Sequence, residues 1–297
     1  MSRTSRDRQP VRSRVPTSLT ATALVGELAI RLANQVAESC AERGIVLMPL
    51  KGVLLLARWP VLRGRRDLVD IDLLVRPLDI PALGVILGTL GFEQTVRTSA
   101  GSTFASDEWP LSIDVHRQLF PHGLFRADTD ELFARAELDE SLFAAPIARM
   151  SDEDLFAHLI GHFVKGRGTF RQDKSLYDIR WLLKQGCFRA EDAERLGAHL
   201  QGLGLRRAAG YVLGHESFAS EPVASAVLRS LDLSRVDRLA IAAATLGTDS
   251  NTDTPLWWTP HLLDQSFVAG SRSLLAHAGE GTRRRVARIM WAGEAGC

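Results

Sequence analysis

A chain of 297 residues has room for one large domain or two of ordinary size, and 45% hydrophobic content suits a protein with a buried core. With 36 basic against 35 acidic residues the formal net charge is +1, which excludes a global field that would draw the chain onto nucleic acid. The three cysteines, Cys40, Cys187 and Cys297, are too far apart for a disulfide framework or a cysteine metal cluster, which fits a reducing cytoplasm.

No apolar run reaches the roughly 20 residues that span a bilayer. The first residues lack the apolar core of a secretory signal. The expected location is therefore cytoplasmic, with no membrane partner.

Residues 1–16 are rich in Arg, Ser and Pro and carry Arg3, Arg6, Arg8, Arg12 and Arg14. Such a segment has too little apolar surface to order itself and reads as a disordered basic tail. Thr17 to Arg43 reads as a long amphipathic helix, with Leu24, Leu28, Leu32 and Val36 at helical spacing and Ser18 or Thr20 as cap. Gly44 ends it.

The apolar run Ile45 to Leu50 reads as a buried strand, followed by Lys51-Gly52 and a short helix from Val53 to Trp59. A glycine at a strand-to-helix turn lets a ligand approach the backbone, and the free N–H groups of a helix start attract phosphate. Lys51 adds positive charge there; the alternative is a solvated lysine at a strand end. Arg63-Gly64-Arg65-Arg66 forms a basic loop before Asp70-Ile71-Asp72-Leu73-Leu74-Val75.

Side chains alternate along a strand, so Asp70 and Asp72 share one face while Ile71, Leu73 and Val75 take the other. Two like charges on one face usually need a cation between them. Asp67 falls before the strand and is expected to serve a turn or a salt bridge.

Pro77 breaks that strand. A helix over Asp79 to Leu90 follows, then strands at Phe92 to Arg97, Ser102 to Ala105 and Pro110 to Leu119. The last contains Asp114 and, two residues on and so on the same face, His116. His116 either tunes the carboxylate, contacts phosphate, or packs as a structural histidine.

Asp128 to Ala136 is the next helix. From Ser151 the pattern becomes helical only, Ser151 being a cap with acidic residues after it. Helices are expected to about Lys165, then at Lys174 to Lys184, Ala190 to Leu200, Leu205 to Phe218, Ser225 to Leu231 and Leu233 to Leu246. Polar loops lie at Gly166 to Arg171 and Thr248 to Pro260, the latter with Trp257 and Trp258. A basic helix with Arg283, Arg284, Arg285 and Arg288 closes the chain. His158 and His162 share a helix face at zinc-binding spacing, but no third ligand is evident.

The expected fold class is α+β. A disordered tail over 1–16 precedes a mixed sheet flanked by helices over 17–145, and a helical domain covers 146–297.

Strand, Lys51-Gly52, helix, Arg66 to Val75 and the Ile113-Asp114-Val115-His116 strand together resemble the DNA polymerase beta-type nucleotidyltransferase superfamily. Within it they are most similar to a bacterial family of uncharacterised nucleotidyltransferases, over residues 18 to 215. The resemblance implies transfer of a nucleoside monophosphate from a nucleoside triphosphate such as ATP to an acceptor hydroxyl. It implies Mg2+ or Mn2+ held by Asp70, Asp72 and Asp114, which would be the catalytic residues.

Lys51, Gly52, Arg66, His116 and Lys174 would bind nucleotide or phosphate, and His162 and Asp178 would contribute from the helical domain. Better-known members carry a small hydroxyl residue after the glycine, where this chain has Val53. The acceptor is equally a small molecule, a peptide or protein, or tRNA. The alternative reading is a catalytically inactive binding module built on the same fold.

Overall fold

The computed structural model describes residues 19–98, 100–121, 123–166, 174–249 and 259–264. The basic tail, nearly all of the Gly166 to Arg171 loop, the tryptophan pair and the C-terminal basic stretch lie outside these residues.

Contacts divide the chain into two compact units, one holding residues up to 117 with 137–149, the other 118–136 with the residues from 150 onward. The division follows packing rather than chain order. Residues 118–136, placed by sequence with the sheet domain, group with the helical unit, and 137–149 return to the first.

The first unit is built on a mixed five-stranded sheet. Its strands are β1 (Met48–Pro49), β2 (Asp70–Leu74), β3 (Glu93–Arg97), β4 (Gly101–Ala105) and β5 (Ser112–His116), in the spatial order β1-β2-β5-β4-β3. The β2–β5 pair is parallel and the other three pairs are antiparallel. Ile71, Leu73, Ile113 and Val115, one set of alternating positions, are buried in the core.

The helices of this unit are α1 (Leu19–Ala41), α2 (Lys51–Arg58) and α3 (Ile80–Thr89), and a short 3-10 turn covers Pro60–Gly64. Gly44 leaves α1 with φ 68°, a left-handed conformation that glycine takes without penalty.

The buried face of α1 differs from the sequence expectation. Leu24 is 61% exposed, and the buried set is Thr22, Gly26, Ala29, Leu32, Ala33, Val36, Ala37 and Cys40. A strict four-residue step overshoots a helical turn by about 40°, so a leucine row at i+4 drifts off the core face within three steps.

The run Ile45 to Leu50 is buried except for a half-buried Val46, yet only two of its residues pair in the sheet. Pro49 has no N–H to give. The flanking groups bond elsewhere: Leu47 O accepts from Ala148 N at 2.7 Å, and Leu50 N donates to Asp72 O at 3.0 Å. Ala148 belongs to a small hairpin of β6 (Glu137–Asp139) and β7 (Ile147–Arg149). Three-residue strands carry too little alternation to stand out in sequence.

The second unit is helical: α4 (Thr129–Arg135), α5 (Asp152–Lys165), α6 (Lys174–Lys184), α7 (Ala193–Gly202), α8 (Arg206–Leu213), α9 (Pro222–Ser230), α10 (Arg235–Asp249) and α11 (Thr259–Leu262). Ser151 caps α5 by accepting from Asp154 N. Asp128 caps α4 by accepting from the N–H groups of Asp130 and Glu131.

Residues 118–136 join this unit through specific contacts. The Phe120 ring meets His158 of α5 edge-on at 6.0 Å between centroids, and Arg126 N donates to Leu203 O at 2.8 Å. Arg135 grips Asp154 with Nη2 at 3.0 Å and Nε at 3.2 Å. Among the described residues no helix is long and apolar enough to cross a membrane.

Candidate active site

The parallel pairing of β2 with β5 assembles the site. Asp70 lies opposite Ser112, Asp72 opposite Asp114 and Leu74 opposite His116. Neighbouring strands lie about 4.8 Å apart. Two aspartates at paired positions on one face therefore cannot avoid each other. One ligand atom each from Asp72, Asp114 and His116 lies within 4.8 Å of the others.

Asp70 is half-buried on the face of Asp72, one pair of positions back along β2. The tight group is thus Asp72 with Asp114 and His116, and Asp70 stands beside it. The i, i+2 spacing in Asp114 and His116 was the legible signal for the histidine. That His116 meets the carboxylate of Asp72 on the other strand was not.

The two carboxylates are treated differently. Asp72 is 6% exposed, and its Oδ1 carries two donors: Lys51 Nζ at 2.7 Å and His116 Nε2 at 2.7 Å. Burial favours the neutral acid, but the hydrogen bond from His116 and the charge of Lys51 outweigh it and hold the carboxyl well below the usual carboxylate range. Asp72 is therefore ionised and accepts, and His116 donates from Nε2. Asp114, by contrast, has its Oδ1 buried with no hydrogen-bond partner among the described residues. A native fold seldom leaves a buried carboxylate oxygen unmatched, and such an atom asks for an explanation in ligand or chemistry.

The Lys51-Gly52 turn is positioned from below by the Leu50 N to Asp72 O bond. Lys51 then adopts φ 43°, a left-handed conformation that side chains other than glycine and asparagine seldom take. The helix α2 starts there without a capping side chain. Its first N–H groups are the orphan donors of any helix start.

Gly52 is needed for a close approach. A Cβ there would lie 2.3 Å from Arg66 Nη1 and 2.4 Å from Leu68 Cδ1. The Arg66 side chain thus lies across the start of α2. It is 8% exposed and so buried although it sits in a loop. Asp67 accepts from Thr22 Oγ1 at 3.0 Å, tying the loop to α1.

His162, Lys174 and Asp178 all lie in the second unit. Asp178 is buried, His162 half-buried and Lys174 exposed. His158 and His162 meet ring to ring at 6.1 Å, and they form no three-ligand group with Cys, Asp or Glu among the described residues.

A hard divalent cation fits the donor set at the sheet. It seeks oxygen ligands first. Asp72 and Asp114 supply two carboxylates within reach of one point, one with an unmatched buried oxygen, and His116 adds a nitrogen.

Residues 5–217 match the model of a family described as uncharacterised nucleotidyltransferase. The chain belongs to that family. The match takes in the Lys51-Gly52 turn, the β2–β5 pair and the first helices of the second unit.

Among solved structures, a solution structure of the antibiotic-resistance factor ANT(2'')-Ia is 18% identical, covering 58% of this chain and 90% of that one with a TM-score of 0.43. A crystal structure of ANT(2")-Ia in complex with adenylyl-2"-tobramycin is 18% identical over 58% of this chain and 96% of that one, with a TM-score of 0.44. JHP933 from Helicobacter pylori is 14% identical, covering 91% of this chain and 97% of that chain with a TM-score of 0.38. No curated protein matches.

Proposed function

We propose that this nucleotidyltransferase family member is an enzyme that moves a nucleoside monophosphate from a nucleoside triphosphate to a hydroxyl of an acceptor, with Mg2+ or Mn2+ as cofactor. The observation that carries the reading is the side-by-side pair Asp72 and Asp114, with the buried, unmatched Oδ1 of Asp114.

Bound between these carboxylates, a divalent cation would neutralise charge on the phosphoryl oxygens and lower the pKa of the acceptor hydroxyl. Asp72 and Asp114, with Asp70 beside them, would hold it. Asp114 Oδ1, which has no hydrogen-bond donor among the described residues, is suited to accept the hydroxyl proton. The uncapped start of α2 and Arg66 across it suit a triphosphate, since orphan N–H groups and a guanidinium both favour anions. Because Val53 offers no hydroxyl, the phosphate contacts of this turn come from backbone, Lys51 and Arg66. The acceptor is a small molecule, a peptide or protein, or tRNA. The proposed chemistry draws on the first unit alone, so His162, Lys174 and Asp178 are not assigned a role in it.

Binding of labelled nucleoside triphosphates, with Mg2+ and with EDTA, tests the reading on wild type and Asp72→Asn. Binding at least tenfold tighter with the ion than in EDTA, with that gain lost in the variant, is the expected result. Equal binding in EDTA, or a variant that binds as wild type does, would refute it.

A further inference from the structure

Lys51 is bound where the proposed cofactor would be bound. Its ammonium is 2.7 Å from Asp72 Oδ1, and its side chain is 12% exposed. To reach that position the residue keeps φ at 43°. A non-glycine residue in this region is strained, and such strain persists where the surroundings impose it. A lysine at a strand end that only needed solvent would have no reason to bear this cost.

Two donors, Lys51 and His116, share Asp72 Oδ1, while Asp114 Oδ1 beside them has none among the described residues. Positive charge is therefore supplied to Asp72 from within the chain, by Lys51.

We infer that Lys51 is a tethered counter-ion that occupies Asp72 in the nucleotide-free protein and exchanges it for the triphosphate, so that metal loading is coupled to nucleotide binding. This rests on the proposed function of the same site. A divalent ion and an ammonium cannot both sit on Asp72 Oδ1 at bonding distance without strong repulsion. Entry of the ion thus requires Nζ to leave.

An ammonium leaving a buried carboxylate needs another anion to replace it. Lys51 is the first residue of α2, at the very turn where a triphosphate would meet the helix start. Its four-carbon stem lets Nζ move while the backbone stays. The triphosphate then stabilises the displaced lysine, and by linkage the ion and the nucleotide each raise the affinity of the other. The arrangement keeps the nucleotide-free site from collecting metal.

The test is Mn2+ binding, followed by the electron paramagnetic resonance signal of the free ion. It is run with and without a non-hydrolysable triphosphate analogue on wild type, Lys51→Met, Lys51→Gly and Asp72→Asn. The Lys51→Gly variant relieves the left-handed strain, so the pair of Lys51 variants separates folding failure from loss of charge.

Without analogue, both Lys51 variants are expected to bind Mn2+ at least tenfold tighter than wild type. In EDTA they are expected to bind the analogue at least threefold more weakly. Mn2+ affinity that is unchanged or lower in the variants, or analogue affinity in EDTA equal to wild type, overturns the exchange. Failure of the proposed function looks different: wild type and Asp72→Asn would then bind Mn2+ alike, with or without analogue.

Discussion

Replacing Asp114 with Asn separates a functional carboxylate from a structural one. Among the described residues Asp114 Oδ1 is buried and unmatched, and the Asp72 carboxylate is a neighbour within 4.8 Å. Two unit charges at that distance repel by about 3.5 kcal/mol at an effective dielectric of about 20. Lys51 and His116 both sit on Asp72 and offset most of this. A net relief of about 1 kcal/mol is what remains when Asn removes the charge but keeps the shape.

Asp114→Asn should therefore unfold at about 2–4 °C higher than wild type. It should also lose pyrophosphate release and the stabilisation that Mg2+ with a triphosphate gives wild type. The assay is thermal unfolding of both proteins with and without Mg2+ and nucleotide. A variant destabilised by more than about 1 kcal/mol would refute the reasoning, because it would mean that Asp114 supports the fold through a partner. Stability held back at a site in favour of its chemistry is the pattern expected of a catalytic carboxylate.

Gly52→Ala should lower stability by about 1–2 kcal/mol although alanine is the better helix former, because its Cβ meets buried Arg66 and Leu68 at under 2.5 Å. Denaturant unfolding checks this, and a variant more stable than wild type would show that Arg66 is not held across α2. In the second unit, burial acts against ionisation of Asp154, but hydrogen bonds from His199 and Arg135 and their charges bring its pKa down to about 2. A folded pKa below the unfolded value of about 3.9 gives stability that is present above pH 4 and lost as the pH falls from about 4 toward 2. Exposure of Arg135 discounts the effect to about 1–2 kcal/mol, so Asp154→Asn should flatten the acid limb of the unfolding curve by that amount; an unchanged limb would refute it.

Much of the site was visible in the order of residues. Period-two alternation places Asp70 with Asp72 and Asp114 with His116, because the pleat permits nothing else. The caps Ser151 and Asp128 follow from local chemistry in the same way. Each of these depends on neighbours a few residues away, and such rules act before any tertiary contact forms.

What pairs with what depended on the fold. Strand register put Asp114 opposite Asp72, and a backbone bond from Leu50 to Asp72 brought the Lys51 turn to the same carboxylate. The ammonium on Asp72, the guanidinium over Gly52 and the pairing of Asp114 with Asp72 join residues 14 to 42 positions apart. The exposed Leu24 and the passage of residues 118–136 into the helical unit have the same origin. A helix or strand pattern specifies which face is apolar, but which surface covers that face is decided only when the elements pack.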